Sequence, residues 1–158
     1  MSRLKLNITE LTLQITALLM LFIPGMYYRE VWTSRGYGMW TLQWRTEASF
    51  VNAANHQELF FCIIVGLMLI NMALSLAEIK DINRKFNIFV SLILPVLTAI
   101  ALFIFNAVVE PVNELYDTSY SVNWLFYGEL AMLAAVFVTA LLKCSNRATE
   151  NQDAEVQA

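Results

Sequence analysis

Apolar and polar residues segregate along this chain into four long apolar stretches joined by polar links. The stretches cover residues 11–28, 59–77, 86–109 and 122–142, which is 18, 19, 24 and 21 residues. A helix needs about 20 residues to cross roughly 30 Å of hydrocarbon. Each stretch is therefore predicted to be a membrane-spanning helix, because hydrocarbon offers no partner to open backbone groups. The expected fold is an all-α membrane protein, a four-transmembrane-helix bundle in a single domain over residues 1–144. The polar, acidic residues 145–158 are expected to form a disordered tail.

Local signals sharpen these limits. Asn7 precedes Glu10 by three positions and Asn55 precedes Glu58 by three, the spacing of a capping box at a helix start. Pro24-Gly25 is expected to bend or end the first span, Pro95 to kink the third, and Pro111 to stop it. No small-x-small site follows the first stretch, so it reads as a retained span.

Orientation follows from the basic residues. Arg3, Lys5, Lys80, Arg84, Lys85, Lys143 and Arg147 fall on one side, and only Arg29, Arg35 and Arg45 on the other. The positive-inside rule places both termini in the cytoplasm and the 30-residue loop 29–58 outside. Tyr27, Tyr28, Trp32, Tyr120, Trp124 and Tyr127 gather at the expected outer interface.

Composition agrees and narrows the chemistry. Hydrophobic residues make up 58% and charged residues 15%, against about 45–50% and 25% in soluble domains. A net charge of −3 argues against nucleic-acid binding, which needs clustered cations. One histidine and two cysteines, Cys62 and Cys144, offer no haem, zinc or dithiol site. No cofactor, metal or catalytic constellation is expected, and the reading is non-enzymatic. Cys62 reads as a packing residue, and His56 with Asn55 and Glu58 as helix-capping groups. The outer loops carry neither a disulfide nor a glycan acceptor, which favours a bacterial cytoplasmic membrane.

The costly polar residues are the functional candidates. Glu129 lies seven residues into the fourth span, where an ionised acid is expensive and turns to the bundle interior or a water-filled path. It reads as an ion site, or as a packing acid bonded to Asn106, Tyr27, Tyr28 or a loop arginine, with Gly66 leaving room for it. Asn71 and Asn106 read as hydrogen-bonding glue between helices. Helix contacts are expected at Ala73, Ala77, Gly128, Ala131 and Ala135.

The outer loop is the second candidate. Trp40, Leu42 and Trp44 alternate with polar neighbours, the period of a strand with one apolar face, after a turn at Arg35-Gly36-Tyr37-Gly38. Trp32, Trp40, Trp44 and Arg45 form the candidate interaction surface, since Trp, Tyr and Arg dominate binding hot spots. The bland alternative is a lid anchored at the membrane interface.

Gly38-Met39-Trp40 and Trp32, with four spans and a long first outer loop, resemble the claudin-type tetraspans in layout. The loop lacks that family's cysteine pair and the Trp32–Gly38 spacing is shorter, so the resemblance carries over no functional residue. Glu10 resembles in position the membrane acid of small multidrug transporters, although the Asn7 spacing reads it as a cap. The leading expectation is an integral membrane accessory or interaction protein that meets the bilayer and a membrane or envelope partner, with oligomers compatible. The alternatives are a small transporter or channel subunit using Glu129, and an immunity-type membrane protein.

Overall fold

A computed structural model describes residues 3–35, 39–54, 57–80, 82, 84–109 and 118–156. Within these, residues 3, 32–40, 84–85, 109, 118–119 and 147–156 are described by their backbone alone. The chain is mostly helical. Its elements are α1 (Arg3–Met20), β1 (Tyr27–Arg35), β2 (Met39–Ala48), the single-turn α2 (Phe50–Ala53), α3 (Glu58–Ile79), α4 (Arg84–Val109), β3 (Thr118–Val122) and α5 (Trp124–Val156). Three helices, α3, α4 and α5, are long and apolar enough to cross a membrane. The fourth long helix, α1, carries Arg3, Lys5 and Glu10 within its 18 residues, more charge than an ordinary span.

α1 packs on α3 and α5, and α4 packs on the same two helices. The buried positions explain why. They fall at Asn7, Glu10, Gln14, Ala17 and Leu21 around α1, and at Ile64, Met68, Asn71, Ser75 and Glu78 on α3. On α5 they fall at Phe126, Glu129, Leu133, Val136, Ala140 and Lys143. Steps of three and four keep one stripe of each helix facing its neighbours. The opposite faces are apolar and exposed, with Leu59 71%, Phe86 63% and Phe103 55% accessible. A water-soluble bundle has the reverse pattern, polar outside and apolar within.

Several expectations need correction. The first apolar stretch is not one helix over 11–28. α1 begins at Arg3 and ends at Met20, and a turn through Pro24 and Gly25 leads directly into β1. Gly25 has a φ of 115°, and a Cβ there would meet Leu125 Cδ1 at 2.8 Å. Only glycine adopts that backbone without strain and fits beneath Leu125. Gly25→Ala is therefore expected to cost about 1–3 kcal/mol, read as a lowered midpoint of thermal unfolding in detergent. The capping-box reading of Asn7 and Glu10 also fails, because both lie inside α1 and are buried. At α3 the cap position is Gln57, which makes no side-chain cap bond, and Glu58 is the first helical residue. Asn55, His56 and Pro111 lie outside the described residues. α5 continues to Val156 across the stretch whose composition reads as a disordered tail; that stretch contains no Gly or Pro to break it.

The fold is also not purely helical. β1, β2 and β3 form an antiparallel sheet in the order β2-β1-β3. β1 and β2 pair from Tyr27↔Ala48 to Arg35↔Met39, and β1 pairs with β3 from Tyr27↔Val122 to Val31↔Thr118. The strands meet because the α1–α3 and α4–α5 connections emerge at the same end of the helices. The Gly25 amide donates to the Ala48 carbonyl and the Asn123 amide to that of Met26, tying the sheet to the helix ends. Ser49 caps α2 by accepting from the Asn52 amide. Below the sheet, Tyr27, Phe50, Phe60, Phe105 and Phe126 pack edge to face around Phe105 and Tyr27.

Small residues do not mark the helix contacts as expected. Ala73 and Ala131 are exposed, and a Cβ on Gly66 would meet open space rather than Glu129. Gly128 does face a neighbour, the Met20 side chain. The small residues fully inside are Ala17, Ser75, Ser91 and Ala140.

Candidate functional site: a polar core and a sheet of paired arginines

The core changes character along its length. At the sheet end it is aromatic. Towards the opposite end its stripes turn polar: Asn7, Glu10 and Gln14 on α1, Asn71, Ser75 and Glu78 on α3, Asn87, Ser91 and Thr98 on α4, and Thr139 and Lys143 on α5. Three of these side chains are ionisable, Glu10, Glu78 and Lys143. Lys143 bonds to Glu10 Oε2, and its Nζ lies 2.8 Å from Glu78 Oε2. The lysine is 4% exposed, Glu78 1% and Glu10 not at all. Glu10 Oε1 accepts from Gln14 Nε2 at 3.2 Å and from the Ser75 hydroxyl at 3.4 Å, and Gln14 also donates to Ser75 at 3.0 Å. Three helices are thus tied by one charged cluster. Desolvation of the ammonium is offset because two carboxyl groups lie within bonding reach of it.

Next to this network, a cavity of about 10 Å³ is lined by Gln14, Ala17, Met68, Asn71, Pro95, Thr98, Leu133 and Val136. Gln14 Oε1 and Asn71 Oδ1, both buried, have no hydrogen-bond partner among the described residues. Pro95, which also lines this cavity, has no amide to give to the Ser91 carbonyl one turn earlier in α4.

Glu129 is fully buried on α5, as an intramembrane acid would be. The expected partners are not there. Neither carboxyl oxygen has a hydrogen-bond partner among the described residues, so Asn106, Tyr27, Tyr28, Arg29 and Arg45 make no hydrogen bond to it; the Arg35 side chain lies outside the described set. Asn106 is half-buried, with its own Oδ1 unpartnered among the described residues. Glu129 and Asn106 are therefore not brought together by a bond.

The loop candidates sit in the sheet. Trp32 is in β1, and Trp40 and Trp44 in β2; the side chains of Trp32 and Trp40, and the turn residues 36–38, lie outside the described set. The expected strand is β2, but its alternation is broken. Trp44 pairs with Val31 and Leu42 with Trp32, so Gln43 is an extra residue in the ladder. A bulge of this kind shifts the face pattern of everything beyond it. Trp44 is 44% exposed, with the Arg29 guanidinium 5.8 Å from its ring centroid. Arg45 lies 3.7 Å over the Tyr28 ring. It also bonds Glu30 Oε1 at 3.1 Å and donates to the Ser121 hydroxyl, which itself donates to Glu30. These bonds join all three strands.

The sequence reading missed Glu10, Glu78 and Lys143 as a group. Their signal was present as polar residues spaced three and four apart along otherwise apolar helices. Among the described residues, no group of three or more His, Cys, Asp or Glu is placed to hold a metal ion. Compared with protein-family models and with curated proteins, the sequence matches none.

Proposed function

We propose that this chain is a multi-pass protein of the cell membrane, with four spanning helices, both termini in the cytoplasm and the sheet outside. In this reading it is a non-enzymatic accessory protein that offers the sheet to a membrane or envelope partner. α1, though more charged than the other three, completes the ring of helices, and its charges are placed at the cytoplasmic end or buried against Lys143. The balance of basic residues supports the orientation.

The observation that carries the interaction reading is the sheet's display of cation–aromatic pairs, Arg29 on Trp44 and Arg45 on Tyr28. Both rings and guanidinium groups are held in place before any partner arrives. Prearranged aromatic and arginine side chains lose little freedom on binding, which makes them strong anchors. A second observation adds to it: β2 is an edge strand whose Leu42 and Trp44 remain nearly half accessible.

Two measurements test this. A cysteine placed at Gln43, with Cys62 and Cys144 changed to Ala, is expected to react with a membrane-impermeant maleimide on intact cells. Labelling only after lysis overturns the orientation. A photo-cross-linker at the same position is expected to give one discrete adduct in the native membrane, lost in the Arg29→Ala, Trp44→Ala double variant. An adduct pattern unaffected by that variant overturns the role of the sheet.

A further inference from the structure

The interaction reading leaves the polar core unused, and the core is costly. Intramembrane acids are retained where they serve a proton or ion path. Two buried carboxyl groups, Glu10 and Glu78, meet a single ammonium, Lys143. The cluster is electrically neutral only when one proton sits on one of those carboxyls. Glu78 Oε1 has no hydrogen-bond partner among the described residues. Among the described side chains of α4, the buried polar ones at this end are the neutral Asn87 and Ser91. Towards the other end of the same stripe, the buried Glu129 has two carboxyl oxygens without a hydrogen-bond partner among the described residues.

By position along α5, the cavity lies between Glu129 and the cluster. Glu129 and Lys143 are 14 positions apart on α5, about 21 Å along the helix. The cavity-lining residues Leu133 and Val136 fall midway. Two acceptors without a partner among the described residues, Gln14 Oε1 and Asn71 Oδ1, border this space. The species that satisfies two acceptors at once is a double donor, and the volume suits about one water. Gln14 joins that position to Glu10 through its amide group.

We propose that the core binds and relays protons between Glu129 and the Glu10–Glu78–Lys143 cluster, through water in the central cavity. The balance is simple. A carboxyl gives its proton to the water, the water gives one of its own protons onward, and the receiving carboxylate becomes the neutral acid. No electron moves; the donor carboxylate is then reprotonated from the solution at its end and the new acid releases its proton to the solution at the other, so that one proton is taken up at one end and one released at the other. The inference rests on the spanning placement of the helices but not on any partner of the sheet.

The test is proton flux in liposomes carrying the purified full chain, with a pH-sensitive dye inside, an imposed pH gradient and potassium with valinomycin to cancel charge build-up. Flotation and gel filtration establish first that the protein is inserted and folded. The wild type is expected to dissipate the gradient faster than protein-free vesicles, and Glu129→Gln and Glu10→Gln each to return the rate to that background. Asn71→Leu, which leaves every carboxyl in place, is expected to slow the flux as well and serves if a carboxamide variant does not fold. Infrared difference spectra are expected to show a carboxylic-acid C=O band that Glu129→Gln removes. A wild-type rate equal to that of protein-free vesicles overturns the proposal, as does flux that survives the folded Glu129→Gln or Glu10→Gln variant.

Discussion

Lys143→Ala is expected to destabilise the protein by about 3–5 kcal/mol, the cost of leaving buried charge uncompensated. Glu10 and Glu78 would then face each other across the space that Lys143 Nζ now fills. The loss comes less from a missing attraction than from two carboxyl groups deprived of both water and a cation. The same reasoning predicts recovery. Glu10→Gln, Glu78→Gln and Lys143→Met together remove every charge and keep the volume. That triple variant is expected to match the wild type or exceed it, because a buried ion cluster is often no more stabilising than a neutral replacement of similar size. Unfolding by guanidinium in a mild detergent gives both values. A Lys143→Ala midpoint equal to that of the wild type would show that water reaches the cluster.

Phe105→Ala is expected to cost about 3–5 kcal/mol. Its ring is fully buried and lies 4.9 Å from Phe50, 5.8 Å from Phe60 and 5.9 Å from Tyr27. Those partners come from α2, α3 and β1, so one side chain joins the sheet to the helices. Removing it empties a site that rigid rings cannot collapse to fill, and the lost dispersion contacts are not replaced. The effect should also be local. Amide exchange in β1 and β3 is expected to accelerate before exchange in the middle of α3. Uniform acceleration across the chain would mean that the sheet and the helices open together.

The two ends of the core therefore hold together by different physics. The sheet end relies on close packing of rings, which tolerates changes of charge state. The opposite end relies on a charge balance among three side chains, which is sensitive to any change in proton number. The five residues Glu10, Gln14, Ser75, Glu78 and Lys143 make up that sensitive end.

Much of this was legible in the residue pattern. The apolar runs of α3 and α4 marked those helices to within two residues, because hydrocarbon demands a continuous apolar segment. Pro24-Gly25 marked a break in the first apolar stretch, which is the turn from α1 into β1, since glycine alone accepts the backbone at position 25. Glu129 stood out because an isolated acid in an apolar run must turn inward, and it does. Alternation around Leu42 pointed to β2. β1 and β3 were not legible. Tyr27–Arg35 continues an apolar run and mixes charge with aromatic residues, and Thr118–Val122 is only five residues long. Each becomes a strand because a partner is delivered beside it.

The sequence alone determined which segments avoid water and which single residues are too polar for their surroundings, because transfer cost is a property of composition and order along the chain. Tertiary structure decided what those residues meet. Glu10, Glu78 and Lys143 are separated by 65 or more positions and become one cluster only when α1, α3 and α5 come together. Charge pairing acts over a few ångströms in space and leaves no mark on spacing along the chain. For that reason Glu10 looked like a helix cap in the sequence and proves to be half of a buried ion pair.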